Sequence, residues 1–276
     1  MLRLPFLVLA AVLVAATSVP AQSTNPFDGL NSGGRAYADP ASYAEARARW
    51  LERVRLMPDN VDVLEGAALF LLVRDRPLAE EFATRLQALE PRNPKWPTMM
   101  AMIHRMNLAA SGDLNEARQA LVLLEKADAL APPANRPLPT NLPMAAFAAG
   151  DMLKARAYAD RLLAEAKAHR GQWDYANAIH SGNTVLGRIA VRESRYADAV
   201  KFLHASADVP GSPTLNSFGP AMLLAKELLE AGEPDAVLAY FESCRVFWKM
   251  GGERLDEWAR DVRAGRTPNF GPNLSY

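Results

Sequence analysis

From Asp39 onward, apolar residues recur three and four positions apart with charged and amide residues between them. That period predicts helices, and no stretch alternates apolar and polar residues long enough to predict a strand. The helical pattern starts at Asp39-Pro40, a capping residue followed by proline in the first turn. The residues before it follow other patterns. Met1-Leu2-Arg3 is a short positive start, Leu4 to Ala16 is apolar throughout, and Thr17 to Ala21 supplies small residues. This is the layout of a secretory signal peptide over residues 1–21, with cleavage before Gln22. The apolar run reaches only ~20 Å as a helix, short of a ~30 Å hydrocarbon core, so a cleaved address is expected and not a transmembrane anchor. Residues 22–38 are polar, Gly- and Ser-containing and aperiodic, and are expected to be a flexible leader. The expected location is outside the cytoplasm, periplasmic or extracellular.

Within the helical region one turn pattern recurs. It reads Arg74-Asp75-Arg76-Pro77-Leu78-Ala79, Gly112-Asp113-Leu114-Asn115-Glu116-Ala117 and Gly150-Asp151-Met152-Leu153-Lys154-Ala155. Ser194-Arg195-Tyr196-Ala197-Asp198-Ala199 and Gly232-Glu233-Pro234-Asp235-Ala236-Val237 continue it. The turns are spaced 38, 38, 44 and 38 residues apart, a period that signals a repeat architecture. Glycine in the first column suits a backbone leaving a helix in the left-handed region. The acidic residue after it is a candidate cap for the next helix, and the small residue five positions on allows close helix approach.

At these residues the chain resembles the tetratricopeptide family. The fourth unit carries Leu186-Gly187, Ala190, Ala199 and Leu203 at the family's spacing, closing near Pro210. The resemblance implies an all-α fold over residues 39–251: a right-handed superhelical solenoid of about five degenerate helical hairpins with a concave interaction surface. It also implies a protein or peptide partner, with no catalysis and no cofactor. Residues from Thr214 onward are similar to uncharacterised bacterial secreted proteins, which implies no activity. Insertions relative to the family fall in the Pro-rich stretches Pro91 to Pro97 and Ala131 to Pro143, which are expected to be loops.

Residues 252–276 are expected to be a capping helix and tail. Leu255, Trp258, Ala259 and Val262 give the helix one apolar face, which would cover Phe247 and Trp248 on the last hairpin.

Composition narrows the chemistry. Lys+Arg and Asp+Glu are equal at 31 each, which argues against nucleic acid as the main partner. The single cysteine, Cys244, excludes an intrachain disulfide framework, and its aromatic neighbours favour a core role over a nucleophile. His104, His169, His180 and His204 include no pair at helical metal-ligand spacing, so no metal site is expected. No nucleophile elbow, phosphate loop or dinucleotide fingerprint occurs, so no catalytic residue is assigned. Met99, Met102 and Met106 share a helical face beside Met100, and a buried stripe is favoured over an adaptable groove.

The polar constellation that stands out lies in the fourth unit. Its first helix is expected to run from about Gln172 to Arg192, with Trp173, Ala176, Ile179, Leu186 and Ala190 as the apolar stripe. Asn183 interrupts that stripe and must be hydrogen-bonded if buried. The expected partners are Asn216 and backbone groups of the Pro210–Pro220 connection, with Asn177 and His180 on adjoining turns. Trp173 and Phe218 are expected as apolar walls, and Thr184 and Arg188 complete the ligand- or partner-binding candidates. Two roles stay open, a structural latch and a ligand pocket. The preferred function is an exported adaptor or scaffold binding a protein or peptide in the cell envelope. The alternatives are a small-molecule receptor or enzyme using the polar pocket around His180, and a structural spacer.

Overall fold

The computed structural model describes residues 39–131 and 138–274. The expected signal peptide (1–21), the leader (22–38), part of the second Pro-rich connection and the last two residues lie outside the described residues. Those described form thirteen α-helices and three short 3-10 segments, with no strand among them. No helix among them is long and apolar enough to cross a membrane.

The chain divides between Trp50 and Leu51 into two compact units. The described part of the first unit is the opening of the helix Pro40–Leu56. Asp39 caps it as expected: its Oδ2 accepts from the Ser42 N–H at 2.8 Å and from the Ser42 hydroxyl at 2.7 Å.

In the second unit, helices pack in pairs across tight turns. Val61–Leu71 packs on Arg76–Leu89, Lys95–Ser111 on Leu114–Leu130, and Leu142–Ala148 on Met152–Ala166. Tyr175–Arg192 then packs on Tyr196–Ala207, and Leu223–Glu230 on Pro234–Cys244. The turn column behaves as its residue types require. Gly112, Gly150 and Gly232 have φ of 71°, 83° and 87°, and Ser194 enters the same region at 57°. Ala79, Ala117, Ala155, Ala199 and Val237 are all fully buried where the two helices of each pair approach. Capping is selective. Asp113 accepts from the Asn115 N–H and Asp151 from the Lys154 N–H, both at 2.9 Å, whereas Asp75 and Glu233 make no side-chain cap.

The methionine helix departs from expectation. Met99 and Met100 are buried with Ile103, but Met102 is 38% exposed, so the buried stripe runs one position off the anticipated face.

The helix Gly252–Arg263 buries Leu255, Trp258, Ala259 and Val262, the face its sequence pattern marks. They close an aromatic cluster in which Trp258 lies 6.0 Å from Phe241, 5.7 Å from Trp248 and 5.0 Å from Phe270. The tail is tied down as well. Trp258 Nε1 donates to the Asn269 carbonyl at 3.1 Å, and Asn273 Nδ2 donates to the carbonyls of Phe218 (3.0 Å) and Pro220 (2.9 Å). The Met222 N–H returns a bond to the Asn273 carbonyl at 2.8 Å.

Candidate functional site

The helix Tyr175–Arg192 places Asn177, His180, Ser181 and Thr184 on one face, because residues three, four and seven apart share a side of an α-helix. That face borders a cleft of about 310 Å³. The facing walls are Arg105 from the helix Lys95–Ser111, Thr140, Asn141 and Met144 from the start of the third pair, and Thr214, Leu215, Gly219 and Ala221. Trp173 closes one side.

The walls are held by hydrogen bonds from the central helix. His180 Nδ1–H donates to the Ser206 carbonyl at 3.0 Å, and Nε2 accepts the Ala221 N–H at 2.9 Å. The Ala221 carbonyl in turn faces the Tyr240 hydroxyl, which donates to it at 3.4 Å. Both ring nitrogens are therefore committed, in a tautomer that requires a neutral imidazole. Burial agrees with this, lowering the His180 pKa from 6.5 to about 4, with the Ser206 bond opposing it. On the next turn the Ser212 hydroxyl donates to Asn177 Oδ1 at 2.7 Å and its oxygen accepts the Leu215 N–H at 3.0 Å. The Ser181 hydroxyl donates to the Thr140 carbonyl at 2.7 Å and pins the opposite wall.

The Pro210–Pro220 connection is not a plain loop. Ser212 caps a short helix, Pro213–Phe218. Gly219 follows it with φ 86°, and a Cβ there would come within 2.5 Å of the Trp248 ring. Only glycine fits, so the cleft wall is set directly on the aromatic cluster under the capping helix.

The candidates divide in the structure. Trp173, Asn177, His180 and Thr184 line the cleft. Asn183 is buried, but its Nδ2 donates to the Ile179 carbonyl of its own helix at 2.9 Å and not to the connection. The expected link through Asn183 is instead made by Asn177 and His180. Trp173 does not belong to a buried stripe: the helix begins at Tyr175, and Trp173 precedes it in a turn, 66% exposed. Phe218 is 62% exposed and does not line the cleft, and Asn216 is exposed outside it. Arg188 also lies outside the lining. It binds Glu227 Oε1 through Nε (2.9 Å) and Nη2 (2.7 Å) and stacks 4.2 Å from the Phe147 ring centroid.

Arg105 is the residue that sequence reasoning missed. It makes no hydrogen bond, ion pair or ring contact among the described residues, and burial lowers its pKa below the ordinary arginine value with no carboxylate to offset it. It remains a cation, since arginine is not deprotonated in proteins. Its one sequence signal is a guanidinium beside Met102, Ile103 and Met106 on a largely apolar helix.

Elsewhere the chemistry is muted. The Cys244 thiol is buried, and burial raises its pKa well above the usual thiol range, which opposes thiolate formation. Among the described residues, no group of three or more His, Cys, Asp or Glu side chains is placed to hold a metal ion. Compared with known families and curated proteins, the chain matches no family model and no curated protein.

Proposed function

We propose that this is an exported, tetratricopeptide-like helical-repeat protein of the cell envelope that works by binding, and that its ligand is a small molecule held in the cleft beside Thr184. The recurring left-handed turns and the buried small-residue column support a right-handed solenoid of five helical hairpins. The observation that carries the functional reading is the pairing of a rigid wall with unspent polar groups. His180, Asn177 and Ser181 lock the walls in place. Arg105 and Thr184 meanwhile face the same space with no side-chain partner among the described residues. Clefts used for small ligands combine mostly apolar walls with a few placed polar groups, and about 310 Å³ is at the lower end of their usual size. Commitment of both His180 nitrogens speaks against that residue as a general base.

A second reading keeps the protein or peptide adaptor. It is favoured by Trp173, a largely exposed aromatic at the rim of the cleft, the kind of residue that anchors partner surfaces.

Native mass spectrometry after incubation with a cell-envelope extract separates the two. The expected result is a bound small molecule on the wild type that is lost in Thr184→Met, which fills the cleft. A protein partner and no small molecule would favour the adaptor. N-terminal sequencing of exported protein should start at Gln22, and a start at Met1 in the membrane fraction would overturn the export reading.

A further inference from the structure

We infer that the cleft is a receptor site for a small organic monocarboxylate, its carboxylate paired with Arg105 and its apolar body lying against Met144, Trp173 and Leu215. This inference rests on the reading of the cleft as the ligand site.

Arg105 differs from three other partly buried arginines of this unit, each of which holds a carboxylate; Arg53 also leaves a buried guanidinium nitrogen without a hydrogen bond, but it does not line the cleft. Arg161 pairs with Asp128 at 2.9 Å, Arg188 with Glu227 at 2.7 Å and Arg245 with Asp256 at 2.6 Å. Arg105 lines a concave space in which, among the described residues, no lining residue is Asp or Glu. A guanidinium taken partly out of water without a counter-charge is costly, and an anion entering the cleft would relieve that cost. The neighbouring polar groups agree in sign. Asn177 Oδ1 is already occupied by Ser212, which leaves the amide N–H groups to donate, and the Thr184 hydroxyl has no partner in the protein among the described residues. The cleft thus offers a planar fork of donors with further donors beside it, the arrangement that a carboxylate accepts. A single cation matches a single negative charge, whereas a phosphate dianion would leave one charge uncompensated in a half-buried site. The side chains of Met144, Trp173 and Leu215 supply an apolar, partly aromatic surface for the remainder of the ligand.

The test titrates the purified protein, as the cell processes it, with 3-phenylpropionate and its uncharged counterpart 3-phenylpropanamide by calorimetry. Inorganic phosphate and a short peptide with a free C-terminus are titrated in parallel. The acid should bind saturably, and the amide and phosphate should bind roughly tenfold or more weakly. Arg105→Gln should remove the advantage of acid over amide, and Arg105→Lys should retain part of it. The acid–amide comparison on the wild type needs no variant and stands even if a substitution disturbs folding. Equal binding of acid and amide, or an acid preference that survives in Arg105→Gln, overturns the anion while leaving the cleft as a ligand site. Binding of the peptide but not of 3-phenylpropionate overturns the free small acid as the source of the carboxylate. If neither acid nor amide binds at millimolar concentration the inference is overturned. The proposed function then falls with it only if native mass spectrometry also finds no small molecule.

Discussion

His180 and Ala221 are joined by a hydrogen bond in which the ring, not the backbone, is the acceptor: the Ala221 N–H donates to Nε2 at 2.9 Å. Protonating that nitrogen turns an acceptor into a donor facing a donor. The bond therefore exists only with the neutral ring, and the wall of the cleft inherits that condition.

Acid should weaken the fold through this residue. The His180 pKa is depressed from 6.5 to about 4, so its contribution is present above the unfolded value and is lost as pH falls from 6.5 through about 4. The difference in urea midpoint between wild type and His180→Gln should be largest near pH 7.5. It should shrink by the equivalent of about 3 kcal/mol by pH 4. A difference that stays flat with pH would show that His180 is not the titrating group.

Hydrogen exchange separates the two amides of the central helix. Asn183→Leu should leave the protection of residues 214–219 unchanged, because Asn183 binds Ile179 within its own helix. Ser212→Ala removes both the cap on Pro213–Phe218 and the bond to Asn177, and should cost about 1 kcal/mol and speed exchange in the same segment. The reverse ranking would restore Asn183 as the tie to the connection.

The turn column offers a matched pair of substitutions. Ser194 is a non-glycine residue at φ 57°, so Ser194→Gly should stabilise by about 1 kcal/mol, while Gly150→Ala at φ 83° should destabilise by a similar amount. Thermal melts of the two variants read the signs directly, and the same sign for both would refute the assignment.

Asn273 should matter more than its place in a tail suggests. Asn273→Ala withdraws the donor from one buried and one part-buried carbonyl, an expected loss of about 1–3 kcal/mol, and should raise exchange at Ala221 and Met222. Removing everything after Gly251 should go further and cause aggregation by exposing Phe241 and Trp248. A soluble, equally stable truncation would reject the capping role.

Much of the helical fold was legible because the apolar pattern along the chain is periodic. The turn column, its small-residue partner and the apolar face of Gly252–Arg263 each follow from spacing, and each is buried or turned as its residue types demand. The cleft was legible only in part, because periodicity gives the face of a side chain and not its partner. Asn177, His180 and Thr184 were on the right face. Asn183 satisfied itself on the carbonyl four residues back, an option open to any helical amide. Trp173 fits the phase of the stripe, yet Gly171 at φ 89° turns the backbone just before it and the helix starts later. Arg105 comes from a helix some seventy positions upstream of the constellation, and no local pattern links the two.

The bonds that set the floor of the cleft have a kinetic consequence. Each helix pair closes across a few residues, a local event with little loop-closure entropy to overcome. The bonds from Asn273 to Phe218 and Pro220 instead join residues 55 and 53 positions apart, and Ser181 reaches back 41 positions to Thr140. Contacts of such sequence separation are expected to form late. The paired helices would therefore assemble in order as the chain emerges, and the cleft would become competent only once residue 273 had arrived. A ligand present at that moment would select the finished fold over any chain still short of it.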